Sequence, residues 1–426
     1  MPENEPICLD VGAATFVPVN RLGRLVAVFG PGIVVMLADT DVGSVITAGQ
    51  SGAQWGYRLL LLQFLLMPVL YIVQELTVRL GIFTGRGHGE LICEQFGKFW
   101  AWVSVSGLGI ATLGALLTEF AGVAGVGEMY GVPRGVSLVV AVAALLGVVI
   151  TGSYRRVERA AIAVGLFEVA FVIVACAAHP SPVTMAREAV KIPYADTDYL
   201  YLVAANIGAV IMPWMIFYQQ SAVADKKLSP MHFSAARWDT ATGAVLTQVI
   251  MAAVLIACAA TIGTKDPNAS LSSVGEMSQA LTPFLGQSMG RMMFGLGVLG
   301  AGMVAAIVAS LALAWGVGEV TGYHHSLELH PLRARWFYGV YALCVIAGAA
   351  LVWAWPNLVS LNVGVQVVNA LLLPLVLGFL IALAIRALPE RHRLKGWYKW
   401  VVITVATLTT GLGLFGGLQG MKLFGG

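Results

Sequence analysis

Two carboxylates interrupt a run of residues that otherwise reads as an apolar helix. Asp39 and Asp41 follow the stretch from Ile33 to Ala38 and precede Gly43 and Ser44. In hydrocarbon an ionised side chain costs at least about 2.5–3.5 kcal/mol, so each acid must face a cavity, a partner or an ion. Gly43 is expected to open the helix at this point. A second interruption falls between Asn206 and Gln220, where Pro213 removes a backbone donor and clashes with the preceding turn. Carbonyls are freed there. Two broken membrane helices at corresponding places point to a transporter's binding site, because unwound carbonyls and half-helix ends can coordinate a cation. The alternative is a pair of Gly/Pro kinks with no ligand.

Asp41 is the leading candidate ligand: a carboxylate beside unpaired carbonyls supplies the oxygen donors and charge that a hard divalent cation needs. It could instead cap the second half-helix. Asp39, two residues away, cannot share its helical face and is read as an outer-shell, vestibule or capping group. Met212, next to Pro213, offers a thioether that suits Mn or Fe better than Mg, against the ordinary packing role of a methionine. Ala209, one turn earlier, could present a freed carbonyl. Glu119 and Glu168 also lie inside apolar runs. Glu119 shows no local partner and is read as an ion-path group or a buried protonated acid. Glu75 stands one turn before Arg79 and is expected to pair with it.

Gln366 and Asn369 are three apart and share a helical face. With Gln74 they belong either to the ion path or to interhelical hydrogen bonding, worth roughly 0.6 kcal/mol on average. The seven histidines, including His88 and His392, fall in loops or at span ends. The five cysteines show no CxxC pattern. No hydrolase triad, phosphate-binding loop or dinucleotide fingerprint is present, so neither an enzyme nor a nucleotide-driven pump is expected, and no cofactor.

The elements that must hold these groups follow from composition. Of 426 residues, 58% are hydrophobic and 11% charged, with mean hydropathy +0.82; soluble proteins carry roughly 25% charged residues. Repeated runs of about 20 apolar residues make this an all-α polytopic membrane protein and not a barrel. Eleven spans are expected, at about 24–51 (broken near 39–43), 57–83, 98–128, 134–152, 157–178, 198–223 (broken near 209–213), 239–263, 287–317, 336–355, 358–386 and 397–422. The polar stretch Lys265 to Gln287 leaves room for a small external helix.

Most of the 25 Lys and Arg residues then fall on one side, which sets the N-terminus in the cytoplasm and the C-terminus outside. Residues 1–22 read as a short cytoplasmic tail, with Glu3, Glu5 and Asp10 in place of a signal peptide's basic start. One transporter domain is expected over 23–426. It comprises an inverted pair of repeats, about 23–178 and 198–386, and an added helix at about 397–422. Expected partners are the bilayer and a divalent ion, with no nucleic acid and no obligate protein partner.

These residues resemble the NRAMP family of divalent-metal transporters. Gly30-Pro31-Gly32 with Asp41-Val-Gly-Ser44 is similar to the family's GPG and DPGN pair, and Ser51 to Tyr57 to its GGAQFGY. Gln74 to Gly85 is similar to its second-helix pattern, Gly208 to Pro213 to its GATVMPH, and Gln366-Val-Val to its tenth-helix QVV. The resemblance implies a LeuT-like fold of five plus five helices and an eleventh. It implies a metal shell of Asp41, Ser44, Ala209 (by its carbonyl), Met212 and Gln366. Departures fall at that shell: Ser44 replaces the asparagine, Val42 the proline, Trp214 the histidine and Leu116 an acid three residues before Glu119, while Asp39 is added. The combination resembles the NRAMP-related magnesium transporters.

The resulting expectation is a secondary transporter bringing Mg²⁺, and also Mn²⁺, into a prokaryotic cell across its plasma membrane, without proton coupling. Trp214 cannot titrate. Two rivals remain: a proton-coupled Mn²⁺/Fe²⁺ carrier of the ordinary NRAMP type, and an amino-acid symporter of the same fold.

Overall fold

A computed structural model describes residues 31–150, 169–263, 271, 276–278, 286–327, 329–354 and 359–421. The expected tail at 1–22, Gly30, Glu168 and most of the stretch from 264 to 285 lie outside the described residues. Among those described, every regular element is a helix. The first apolar run forms α1 (Pro31–Asp39) and α2 (Val42–Trp55), bent by 49°. There follow α3 (Leu60–Thr84), α4 (His88–Phe96), α5 (Lys98–Met129) and α6 (Arg134–Ile150). Next come α7 (Val169–Ala177), α8 (Pro182–Ala189), α9 (Thr197–Val210) and α10 (Pro213–Asp225). Then α11 (Phe233–Cys258) runs into a π-helical turn (Ala259–Gly263), followed by α12 (Gln287–Thr321), α13 (Arg335–Ala354), α14 (Val359–Arg386) and α15 (Gly396–Met421).

Among the described residues, eight helical stretches are long and apolar enough to cross a membrane, and the bent α1–α2 pair makes a ninth. The expected fourth span is the 17-residue α6, and α7 is the described part of the expected fifth. Residues 151–168 between them lie outside the described residues.

Burial orders these helices. The stretch Thr197–Asp225, comprising α9 and α10, has 83% of its apolar window buried, against 28% for Gly396–Gly420 in α15. The second broken span therefore lies at the centre of the packing, and α15 stands at its edge. α9 packs against α14 and α15, α10 against α3 and α12, and α11 against α1, α2 and α3. Close helix approach needs small residues where the axes cross. At Gly52 an added Cβ would collide with the backbone carbonyl of Leu255, and at Gly416 with that of Leu200. Trp214, Trp315 and Tyr218 fill the centre, with the Trp315 and Tyr218 rings edge to face at 5.5 Å.

Two short helices, α4 and α8, were not foreshadowed by the apolar runs. Their lengths of nine and eight residues are too short to span.

Candidate functional site

The first break is made by a side chain. α1 ends at Asp39, and Asp41 adopts an extended backbone (φ −64°, ψ 168°) as the N-cap of α2. Its Oδ1 accepts a hydrogen bond from the Ser44 backbone N–H at 2.6 Å, replacing an intrahelical partner that the first turn lacks. Thr40, between the halves, turns its hydroxyl back to the Leu37 carbonyl at 2.7 Å. The helix therefore restarts at Val42, and Gly43, expected as the breaking residue, lies inside α2. Its smallness serves packing: a Cβ there would collide with Gln366 Nε2.

The second break is made by a missing donor. An α-helical carbonyl bonds the N–H four residues on, and four residues after Ala209 stands Pro213, which has none. α9 stops at Val210, and α10 begins at Pro213 with Met212 as an N-cap that has no side-chain cap bond. The freed Ala209 carbonyl accepts the Ser44 hydroxyl at 3.1 Å. That bond joins the two breaks.

Around it the structure gathers most of the expected residues. Asp41, Ser44, Ala209, Met212, Gln366 and Asn369 are all buried. Asn369 donates to Gln366 Oε1 at 2.9 Å, as the three-residue spacing implied. Gln366 also reaches the second broken span, since a Cβ on Gly208 would run into its backbone carbonyl. Asp39 is buried at the end of α1. Trp214, in the first turn of α10, is fully buried with its indole N–H unpaired. It packs where a titratable side chain could have stood.

Two expectations change. Glu119 does have partners: its Oε1 accepts the neighbouring Thr118 hydroxyl at 3.0 Å, and its Oε2 accepts the Val42 backbone N–H at 3.2 Å. It thereby satisfies an orphan donor in the first turn of α2 and brings a second carboxyl within electrostatic reach of Asp41. Gln74 instead lies in a separate cluster, where Thr77 bonds Gln219 Oε1 at 3.0 Å and Gln219 donates to Thr240 at 3.0 Å. The expected Glu75–Arg79 pair is present at 2.7 Å, and Arg237 adds a second cation at 3.3 Å.

As an ion site, the break offers one decisive observation. Asp41 Oδ2 is buried with no backbone, hydroxyl or amide donor and has the Glu119 carboxyl as its charged neighbour, and a buried carboxylate oxygen without a donor is costly unless a cation, a water or a proton shared with that second acid meets it. The Ala209 carbonyl, the Ser44 hydroxyl and the Met212 thioether stand on the same two interruptions, so oxygen donors of one charge and one soft donor are available. Among the described residues no group of three or more His, Cys, Asp or Glu side chains could hold a metal. A site here would complete the Asp41 carboxylate with backbone, hydroxyl, amide and thioether groups.

Polar crosslinks that the sequence did not reveal close the break on both sides. Toward the end of α2, Asn206 donates to Ser51 at 2.8 Å and accepts from Gln63 at 2.6 Å. Toward the start of α1, Asp239 accepts the Gly32 N–H at 2.8 Å and Thr247 bonds the Met36 carbonyl at 2.5 Å. Further out on that side, buried Glu319 accepts from Gly89 N–H at 2.8 Å and from Ser221 at 2.5 Å. His88 beside it meets Gln220 at 2.8 Å. Burial pushes His88 down to about 4, against the opposing effect of the Gln220 bond, so its imidazole is neutral at pH 7.

Known proteins share both pattern and shape. A family model described as Natural resistance-associated macrophage protein-like (Nramp) matches residues 32–418. The chain belongs to the NRAMP family. The divalent metal cation transporter MntH of Agrobacterium fabrum is 26% identical over 369 residues, 82% of this chain and 77% of that protein. MntH of Bradyrhizobium diazoefficiens is 27% identical over 308 residues, covering 68% of this chain and 67% of its own. Among solved structures, the Eremococcus coleocola manganese transporter, in complex with an aromatic bis-isothiourea substituted compound, superposes with a TM-score of 0.77. It covers 96% of this chain and 90% of that one at 19% identity. Mhp1, a nucleobase-cation-symport-1 family transporter in a closed conformation, gives 0.61 over 93% and 90% at 15% identity. The NRAMP chain thus has the LeuT-like fold that the resemblance implied.

Proposed function

We propose that this NRAMP-family chain is a secondary transporter that imports divalent cations by alternating access, Mg²⁺ chiefly and Mn²⁺ as well. The observation that carries the reading is the buried, donor-free Asp41 Oδ2 at the junction of two broken helices tied by the Ser44–Ala209 bond. The relatives named as divalent metal cation transporters support the class of cargo. Asp41, Ser44, Ala209, Met212 and Gln366 form the shell in this reading, and Asp39, Glu119, Asn369 and Trp214 serve the ion path or its outer surroundings, while Gln74 takes its other expected role of interhelical hydrogen bonding. Mg²⁺ surrenders water reluctantly and is bound through few protein oxygens. A short Ser44 in place of a longer amide fits an ion that keeps part of its hydration.

The domain runs over about 23–426 as two inverted repeats, about 23–178 and 198–386, and a last helix at about 397–422. The N-terminus is cytoplasmic and the C-terminus outside, in a prokaryotic plasma membrane. Transport is not coupled to protons in this reading, since Trp214 in the first turn of α10 cannot titrate and Leu116 stands where the resemblance implies an acid; Asp41 and Glu119 are the titratable groups left at the break. The membrane potential suffices as drive: two charges moved inward gain roughly 4.6 kcal/mol per 100 mV, from about 2.3 per charge.

The buried Met212 favours one second reading, a Mn²⁺ carrier of the ordinary proton-coupled kind. An amino-acid symporter is disfavoured because Asp41 already occupies the N-terminus of α2 that a substrate carboxylate would need. The deciding experiment compares Mg²⁺, Mn²⁺ and Ca²⁺ uptake into proteoliposomes at fixed potential with a pH-sensitive dye inside. Mg²⁺ uptake without acidification is expected. Mn²⁺ uptake without Mg²⁺ uptake, or acidification scaling with uptake, transfers the assignment to the second reading.

A further inference from the structure

Far from the breaks, where α14 passes into α15, a cavity of about 630 Å³ is lined by Arg393, Lys395, Lys399, Glu390, Trp397 and Trp400. Three cations face one carboxylate. Among the described residues neither Lys395 nor Lys399 is ion-paired, and Lys399 lies over the Trp400 ring at 5.7 Å. The two tryptophans are 77% and 66% exposed. Such exposure is unfavourable in water but preferred at headgroup level, where one side of the ring meets hydrocarbon. We propose that this pocket binds the headgroup of an anionic phospholipid.

The site is built before any ligand arrives. His392 and Arg393 N–H both bond the Pro389 carbonyl, at 2.8 and 3.1 Å, and Leu394 N–H bonds the Ala384 carbonyl at 3.0 Å. The Arg393 Nε is fixed on the Leu388 carbonyl at 2.8 Å. The His392 ring stacks on Phe83 of α3 with centroids 3.7 Å apart, and its carbonyl accepts from Arg79 at 3.4 Å. A loop held this way spares the backbone ordering cost on binding and leaves only that of the lysine side chains. Ile385 gives the cavity an apolar wall, and α15 is the least buried span, so acyl chains have a surface beside the headgroup. A free phosphate would use the cations alone.

The test uses the full-length protein in detergent, titrated with phosphatidylglycerol, phosphatidylcholine or inorganic phosphate, and read by native mass spectrometry and thermal unfolding. Phosphatidylglycerol should stay bound and raise the unfolding midpoint, and the other two should not. Lys395→Ala with Lys399→Ala should weaken phosphatidylglycerol binding roughly thirtyfold, the scale set by two cations at an anionic surface. Lys191→Ala, at the opposite end of the bundle, should leave it unchanged. Both lysines of the double variant lie on the surface of the loop and α15, so folding is retained, and the midpoint without lipid verifies it. Equal affinity of the native protein and double variant, or equal affinity for both lipids, overturns the proposal. An equal shift with inorganic phosphate assigns the pocket to a free anion and overturns it as well.

Discussion

The two broken spans solve one problem by different chemistry. At the first, a side chain does the work: Asp41 caps α2, Thr40 covers α1, and the halves bend by 49°. At the second, Pro213 deletes the donor for Ala209, no side chain caps the restart, and the halves still read as one continuous stretch. The first break therefore brings charge, and the second brings sulfur and a carbonyl freed from its own helix. In the proposed reading a cation uses both, and the two interruptions are tied together by the Ser44–Ala209 bond.

Separating charge from capping is the sharpest way to break this contrast. Asn caps as well as Asp, so Asp41→Asn should keep the unfolding midpoint yet lower Mg²⁺ and Mn²⁺ uptake by about two orders of magnitude, leaving a dehydrating cation uncompensated. Asp41→Ala should lose both uptake and about 1 kcal/mol of stability. Near-normal uptake by a folded Asp41→Asn would remove the first break from the ion site.

The next largest effect is steric and differs between the breaks. Gly208→Ala meets the Gln366 backbone, whereas Gly43→Ala meets the movable end of the Gln366 side chain. Overpacking costs about 1–3 kcal/mol, with Gly208→Ala expected at the upper end and Gly43→Ala at the lower. Thermal unfolding in detergent ranks them, and a reversed order would mean that Gln366 does not press on both breaks.

Ligand softness gives a smaller, selective effect. Met212→Leu keeps volume at a cost below about 1.5 kcal/mol and should reduce Mn²⁺ uptake several-fold with little change for Mg²⁺, because only the softer ion gains from sulfur. Parallel losses would make Met212 a packing residue. Smallest of all, Ser44→Ala removes one neutral bond worth about 0.5–1.5 kcal/mol and should shift stability by that amount while uptake falls modestly. Complete loss of uptake in a stable Ser44→Ala protein would show that the hydroxyl binds the ion directly.

Much of this was legible in the chain. Apolar runs of span length and the Gln366–Asn369 spacing express short-range rules, and their elements appear where those rules place them. The Glu75–Arg79 pair belongs with them. Glu119 has a second partner that sequence cannot show for a physical reason: Val42, whose N–H it accepts, is 77 residues away. The same holds for Asn206 with Gln63 and for Glu319 with Gly89, whose sequence separations of 143 and 230 leave no periodic signal. The short helices α4 and α8 escaped because a helix too short to span carries no hydropathy signature.

By itself, then, the sequence determined that this is a helical membrane protein with two interrupted spans, and it located both interruptions to within a few residues. Proline's missing donor and the expense of charge in hydrocarbon act locally, wherever the helix later packs. Tertiary structure alone decided that the helix restarts at Val42 and not at Gly43, that Ser44 takes the carbonyl freed by Pro213, and that Asp41 both caps α2 and leaves Oδ2 without a donor. The cap and the restart rest on a local bond between Asp41 and Ser44, but the Ser44–Ala209 bond and the lack of a donor at Oδ2 depend on which distant group packing brings within 3 Å or so, and hydrogen-bond energy falls steeply beyond that range.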